Sequence, residues 1–152
     1  MSECVILVGL PAAGKTTFYQ RHFAATHRHV SKDLSPNAAG REARQRRLMA
    51  EILAEGASLV VDNTNPTIAD RAAIMTIARA HGARVIGYFF DVTTRQAVAR
   101  NAERTGRQKV PNVAIFTVAK RLEAPTLGEG FDQLFRVTLT EQRTFAVSEI
   151  AG

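Results

Sequence analysis

The sequence predicts an α/β fold, a parallel sheet covered by helices on both faces. Three observations carry this expectation. Short apolar runs at residues 4–8, 59–61 and 85–90 have the length and β-branched content of strands buried on both sides. Stretches with helical apolar periodicity lie between them. A glycine-containing turn, residues 9–16, follows the first run and opens the first of these stretches. Strand alternating with helix in this way builds a parallel sheet.

Taken in order, the run CVILV at 4–8 is the first strand, and residues 28–30 form a weaker second one. Leu48, Met49, Ile52 and Leu53 then place an apolar stripe on a helix. The third strand, 59–61, runs into Asp62, and Pro66 prevents its continuation. Ile68, Ala72, Met75 and Ala78 make a second stripe. Thr67 with Asp70 three residues on is a variant capping box for it, and Gly82 is its stop signal. After the strand at 85–90, a helix is expected from Thr93 or Thr94, with Gln96 in the box position, ending at Gly106. A last strand lies near 134–139, while 141–152 reads as a short edge strand or a tail. No repeat, low-complexity tract or linker interrupts the chain, so one domain is expected over residues 1–152.

Composition excludes several classes of function. No apolar stretch approaches the roughly 18 residues that a membrane span needs, and the acidic start lacks the basic region of a signal peptide. A protein that does not engage membranes, located in the cytoplasm, is expected. The single cysteine, Cys4, lies in an apolar run and reads as a buried small hydrophobe. The net charge is +6, and 16 of the 20 basic residues are arginine, the side chain suited to bidentate phosphate recognition. An anionic partner follows from this, without its class.

The turn at 9–16, GLPAAGKT, has the Walker A form G-x-x-x-x-G-K-[ST] in the strand-to-helix context that the motif requires. Its glycines let backbone N–H groups converge on phosphate oxygens, and the helix start adds partial positive charge. Lys15 is expected on the β and γ phosphates and the Thr16 hydroxyl on Mg²⁺. The nucleotide-binding set is therefore Gly9, Pro11, Ala12, Ala13, Gly14, Lys15, Thr16 and Thr17. ATP is the expected nucleotide, since no N-K-x-D stretch of guanine-specific switches occurs.

Two acids follow strand ends. In an open parallel sheet, ligands bind beyond the carboxyl ends of the strands, which would bring Asp62, Asn63 and Thr64 close to Thr16. Asp62 suits the ordering of a Mg²⁺ water or an active-site arginine; a turn residue bonding its own backbone is the alternative. Asp33, just past the second strand, suits a general base taking the proton from an attacking hydroxyl. It equally suits a helix cap before Pro36.

In that order and at these spacings, GLPAAGKTT, SKD, DNTNP, RNAER and EAPTLGEGF resemble the kinase domain of the 5′-hydroxyl polynucleotide kinases of phage and animal end-healing enzymes. The resemblance runs over residues 5–135. Its most specific pieces, DNTNP and EAPTLGEGF, look most like the animal domains, whereas the cradle is shared with many ATPases. The resemblance implies a P-loop three-layer sandwich with five parallel strands ordered 2-3-1-4-5. It further implies Asp33 as general base, Asp62 as the acid holding the acceptor side together, and Arg100 and Arg104 in a lid at about 100–112. The spacing of four between these arginines puts like charges on one helical face, which favours an anion beside them. A solvated basic helix end is the plain alternative. The loop at 123–130 would lie beside the adenine.

Phage relatives carry an arginine three residues after the base, where this chain has Pro36, so the acceptor requires other residues. Arg41 and Arg44 on the following helix are the candidates, with Arg44 favoured, because Glu42 with Arg46 and Arg47 with Glu51 are spaced as ordinary surface pairs. Asn63, Thr64 and Arg71 complete the acceptor-side set, and Arg71 reads equally as a surface arginine flanked by Asp70. The expected activity is ATP- and Mg²⁺-dependent phosphoryl transfer to a hydroxyl, foremost the 5′-OH of DNA or RNA. The alternatives are a metabolite or nucleoside acceptor and a non-catalytic ATP-binding interaction module.

Overall fold

The computed structural model describes residues 2–32, 40–106, 109–142 and 144–151. Six strands, β1 (Glu3–Val8), β2 (Arg28–Val30), β3 (Leu59–Asp62), β4 (Arg84–Phe90), β5 (Gln133–Leu139) and β6 (Phe145–Glu149), form one sheet ordered β2-β3-β1-β4-β5-β6. The first five pair in parallel, in the order expected. The expected count of five is corrected by β6, which runs antiparallel to β5 at the edge. Apolar periodicity does not announce β6 because its side chains are mostly exposed. It is set instead by a hairpin in which Thr140 N–H donates to Thr144 O at 2.9 Å.

Helices α1 (Lys15–His22), α2 (Arg41–Ala54), α3 (Ile68–Ala80), α4 (Thr94–Ala102) and α5 (Asn112–Arg121) cover the sheet. The caps are largely those read from the sequence. The Thr67 hydroxyl accepts from Asp70 N, and Thr93 with Gln96 forms the reciprocal box. Helix α4 ends at Ala102 rather than at Gly106, so the chain leaves the helix before Arg104.

The continuous apolar run of β1 is explained by burial on both faces. Cys4, Ile6 and Val8 pack with Met49, Ile52, Ile74 and Met75 of α2 and α3. Val5 and Leu7 pack with Phe18, Ala97 and Ile115 of α1, α4 and α5. Burial pushes the Cys4 thiol up to about 12, which fits a packing role and not a nucleophile. With β1 central, the register Leu7↔Asp62 sets the carboxyl end of β3 beside the start of the glycine turn. The fold thus brings two distant sequence signals to one edge of the sheet.

Candidate active site

The turn after β1 closes as a phosphate cradle. Gly14 is the N-cap of α1 with φ 98°, a left-handed conformation that glycine adopts without strain. A Cβ here would lie 2.9 Å from the Phe145 ring, so β6 leaves no room for a side chain. Ala12 also takes positive φ, 64°, where the motif alone suggests that the glycines carry all such strain. Lys15 is only 8% exposed, and its Nζ donates to the carbonyls of Gly9 (3.1 Å) and Leu10 (2.5 Å). The ammonium is thereby held over the turn that lines the crevice with Pro11, Ala12, Ala13, Thr16 and Thr17.

Thr16 Oγ1 donates to Asp62 Oδ2 at 2.7 Å, which joins the cradle to the end of β3. The same oxygen lies 2.8 Å from His29 Nε2 of β2. The His29 ring stacks on Tyr19 of α1, with centroids 4.3 Å apart and planes at 22°. Burial first, and then Asp62, raise the pKa of the Tyr19 phenol, which keeps its proton and donates to the His27 carbonyl at 2.6 Å.

Beyond Asp62 the chain is fixed at each residue. Asn63 Nδ2 donates to Gln45 Oε1 at 2.7 Å, and Asn63 Oδ1 accepts from Lys32 N at 2.8 Å. Thr64 O accepts from Gly9 N at 3.0 Å. Asn65, at φ 45°, donates from Nδ2 to Leu7 O at 2.7 Å. Left-handed backbone of this kind is tolerated by Asn where its short side chain bonds locally.

Arg71 corrects the expectation that placed it on the acceptor side. It is 0% exposed and pairs with Glu129 through Nε and Nη2 at 2.8 and 2.9 Å. Nη1 donates to Asn65 O and Nη2 to Glu123 O, both at 3.0 Å. The loop at 123–130 packs against the same helix, α3. Glu123 N bonds Pro66 O, Arg79 bonds Gly130 O, and none of residues 123–130 lines the crevice, so this loop runs along α3.

Arg100 and Arg104 lie on the far side of the cradle. Arg100 Nη2 reaches Thr17 Oγ1 at 3.4 Å. Burial and then the adjacent Arg100 lower the Arg104 pKa, while Asp62 acts in the opposite direction. Both guanidinium groups stay charged, since arginine does not deprotonate in proteins. They line the same crevice, about 1350 Å³ in volume, as the cradle, His29, Asp62, Asn63 and Thr64.

Arg41, Gln45 and Arg46 of α2 and Ala69, Ala73 and Ile77 of α3 also line the crevice. Arg44, the favoured acceptor residue, lines an adjoining cleft of about 320 Å³ with Arg47 and Glu51, and this cleft shares Ser31, Lys32, Arg41 and Gln45 with the crevice. The surface pairing read from spacing also differs, since the Glu42 carboxylate pairs with Lys32. Asp33, with Ser35 and Pro36, lies outside the described residues.

His29, Gln45 and Phe145 are site residues that sequence reasoning missed. His29 read as part of an apolar approach. Its register partner is Val60, two residues before Asp62 on the same face, so only strand pairing reveals the contact.

The residues present fit Mg²⁺. Thr16 and Asp62 offer hard oxygen donors at the cradle, and the described residues contain no cluster of three His, Cys, Asp or Glu to hold a metal alone. That is the usual Mg²⁺ arrangement, with one or two protein oxygens and the rest from phosphate and water.

A strand, a Walker A turn, a helix and an acid on the neighbouring strand define a P-loop nucleotide-binding protein of the kinase type. Residues 4–125 match the family model described as AAA domain, and the chain belongs to that family of P-loop kinase domains. It is similar to the bifunctional polynucleotide phosphatase/kinase of Schizosaccharomyces pombe, at 27% identity over 139 residues, which are 89% of this chain. The chain spans about a third of that protein, 33% of its length. Two solved structures share the fold. A gluconokinase from Sinorhizobium meliloti has a TM-score of 0.65 at 16% identity, covering 91% of this chain and 83% of its own. Kti12 from Chaetomium thermophilum, in complex with ADP-AlF3, has a TM-score of 0.64 at 18% identity, covering 92% of each chain. Among the described residues, no helix is long and apolar enough to cross a membrane.

Proposed function

We propose that this chain transfers the γ-phosphate of ATP to the 5′-hydroxyl of DNA or RNA. The observation that carries this reading is that one crevice is lined by the cradle with Lys15, Arg100 and Arg104, by basic and amide side chains of α2, and by Asp62, which is bonded to Thr16 of the cradle. The likeness to the S. pombe phosphatase/kinase supports the choice of acceptor. A cytoplasmic location fits it.

In this reading Asp33 takes the proton of the acceptor hydroxyl, and the oxygen forms a bond to the γ-phosphorus as the bond to the β–γ bridging oxygen breaks, releasing ADP. Ser31 and Lys32, the two residues before Asp33, line the crevice. Lys15, Arg100 and Arg104 offset the charge that spreads over the transferring group. Mg²⁺, held by Thr16 with the phosphates, would supply further charge neutralisation. Arg41 and Asn63 bind the acceptor's phosphate, and Thr64 carries the backbone that joins the acceptor side to Gly9.

A metabolite acceptor is the second reading. Among the described residues lining the crevice none is Phe, Tyr or Trp, so no base-stacking platform is evident there, and the gluconokinase shares the fold.

The test is transfer of labelled γ-phosphate to 5′-hydroxyl DNA and RNA oligonucleotides by the native protein and Asp33→Asn. Transfer that is lost in the variant and falls steeply with added salt supports the end-kinase reading. ATP binding without transfer to either oligonucleotide rejects that acceptor. Salt-insensitive transfer to a small neutral alcohol would then support the metabolite reading, and binding with no transfer to any acceptor the interaction module.

A further inference from the structure

We propose that His29 is a positioning residue for Asp62, fixing the carboxylate rotation on which Thr16 and its Mg²⁺-binding oxygen depend. The inference rests on the nucleotide-binding part of the proposed function and on no particular acceptor.

A carboxylate only accepts hydrogen bonds, so the 2.8 Å contact assigns the imidazole hydrogen to Nε2. Thr16 Oγ1 donates to the same oxygen, Oδ2, from 2.7 Å. Two donors converging on one oxygen from different elements, β2 and α1, define the plane of the carboxyl group and leave Oδ1 outside both bonds. The Thr16 proton is then committed to Asp62. The lone pairs of that hydroxyl are left for a cation.

The imidazole is itself held. Tyr19 stacks on one face, and the Tyr19 hydroxyl is tied to the backbone of His27. His29 is not a core residue satisfied in passing. Its side chain is 26% exposed and it lines the crevice. Asp62 by contrast is 4% exposed in its side chain, so water is poorly placed to replace the lost donor. Groups that orient the ligands of a metal site affect its affinity or activity about 10–100-fold.

Two substitutions separate the donor from the ring. His29→Phe retains the stack on Tyr19 and removes the hydrogen-bond donor. His29→Gln retains a donor at similar reach and removes the ring. The measurement is the Mg²⁺ concentration that half-saturates tightening of a fluorescent ATP analogue, with thermal unfolding of each variant as the control and kcat recorded where transfer is observed.

The expected result is a Mg²⁺ requirement about 10–100-fold higher in His29→Phe, native-like within a few fold in His29→Gln, with unfolding temperatures close to native. Where transfer is measured, kcat falls in the same ratio and the acceptor KM is unchanged. An unaltered Mg²⁺ response in His29→Phe, or an equal loss in both variants, overturns the proposal. Transfer to no acceptor leaves this binding experiment decisive, whereas a native protein that fails to bind the analogue overturns the nucleotide reading and this one together.

Discussion

Arg71→Met removes the cation from the most deeply buried ion pair described in the protein. The side chains of Arg71 and Glu129 are 0% and 5% exposed, so the Glu129 carboxylate would be left in the interior with Thr126 N–H as its remaining donor. Breaking a buried pair from one side costs about 3–5 kcal/mol. For a chain of 152 residues, each kcal/mol is worth about 2–4 °C, so a fall of about 6–20 °C in the unfolding midpoint is expected. Arg71→Met with Glu129→Leu removes both charges together. It leaves the Asn65 and Glu123 carbonyls without their donor, at about 1–3 kcal/mol each at most.

The double variant should therefore lose less than the sum of the two single variants by several kcal/mol, a coupling that a double-mutant cycle measures directly. Urea unfolding followed by circular dichroism, with thermal melts of all four proteins, reads both quantities. Additive losses, or a single-variant loss below about 1 kcal/mol, would refute the reasoning. Arg71 would then be a solvated side chain and not the clamp that holds Asn65.

Two other outcomes are expected, the first resting on the proposed phosphoryl transfer. Arg100→Ala and Arg104→Ala should each lower kcat about 10²–10³-fold in steady-state assays of phosphoryl transfer, with a smaller effect on nucleotide affinity, because developing charge is offset only in the transition state. Cys4 gives a pH effect of defined sign. Its folded pKa is raised to about 12, so the contribution is present below the ordinary thiol pKa of about 8.5 and is lost as pH rises above it. Urea midpoints should fall between pH 7.5 and 9.5 more in the native protein than in Cys4→Ala, and a thiol reagent should label Cys4 only after unfolding.

The cradle, the buried parallel strands and the caps at Thr67 and Thr93 were legible in the linear sequence because each is a local or periodic signal, whereas the order of the strands came from family likeness. A Walker A turn needs glycines and a lysine at set positions, a doubly buried strand needs a continuous apolar run, and a cap needs one hydroxyl before a helix. Family likeness added DNTNP and the lid arginines. The partners of individual polar side chains were not legible, because pairing depends on register and packing between distant segments. Arg71 follows DNTNP as a plausible acceptor contact, and only the docking of the loop at 123–130 on α3 turns it inward to Glu129. His29 reads as part of a strand until β2 is set beside β3 and Asp62 comes within a hydrogen bond. Phe145 closes the cradle from a strand too exposed to show a period. Local chemistry therefore determined where phosphate would be held, whereas the tertiary structure decided which residues hold the holders, since hydrogen bonds across a sheet obey distances that sequence order does not contain.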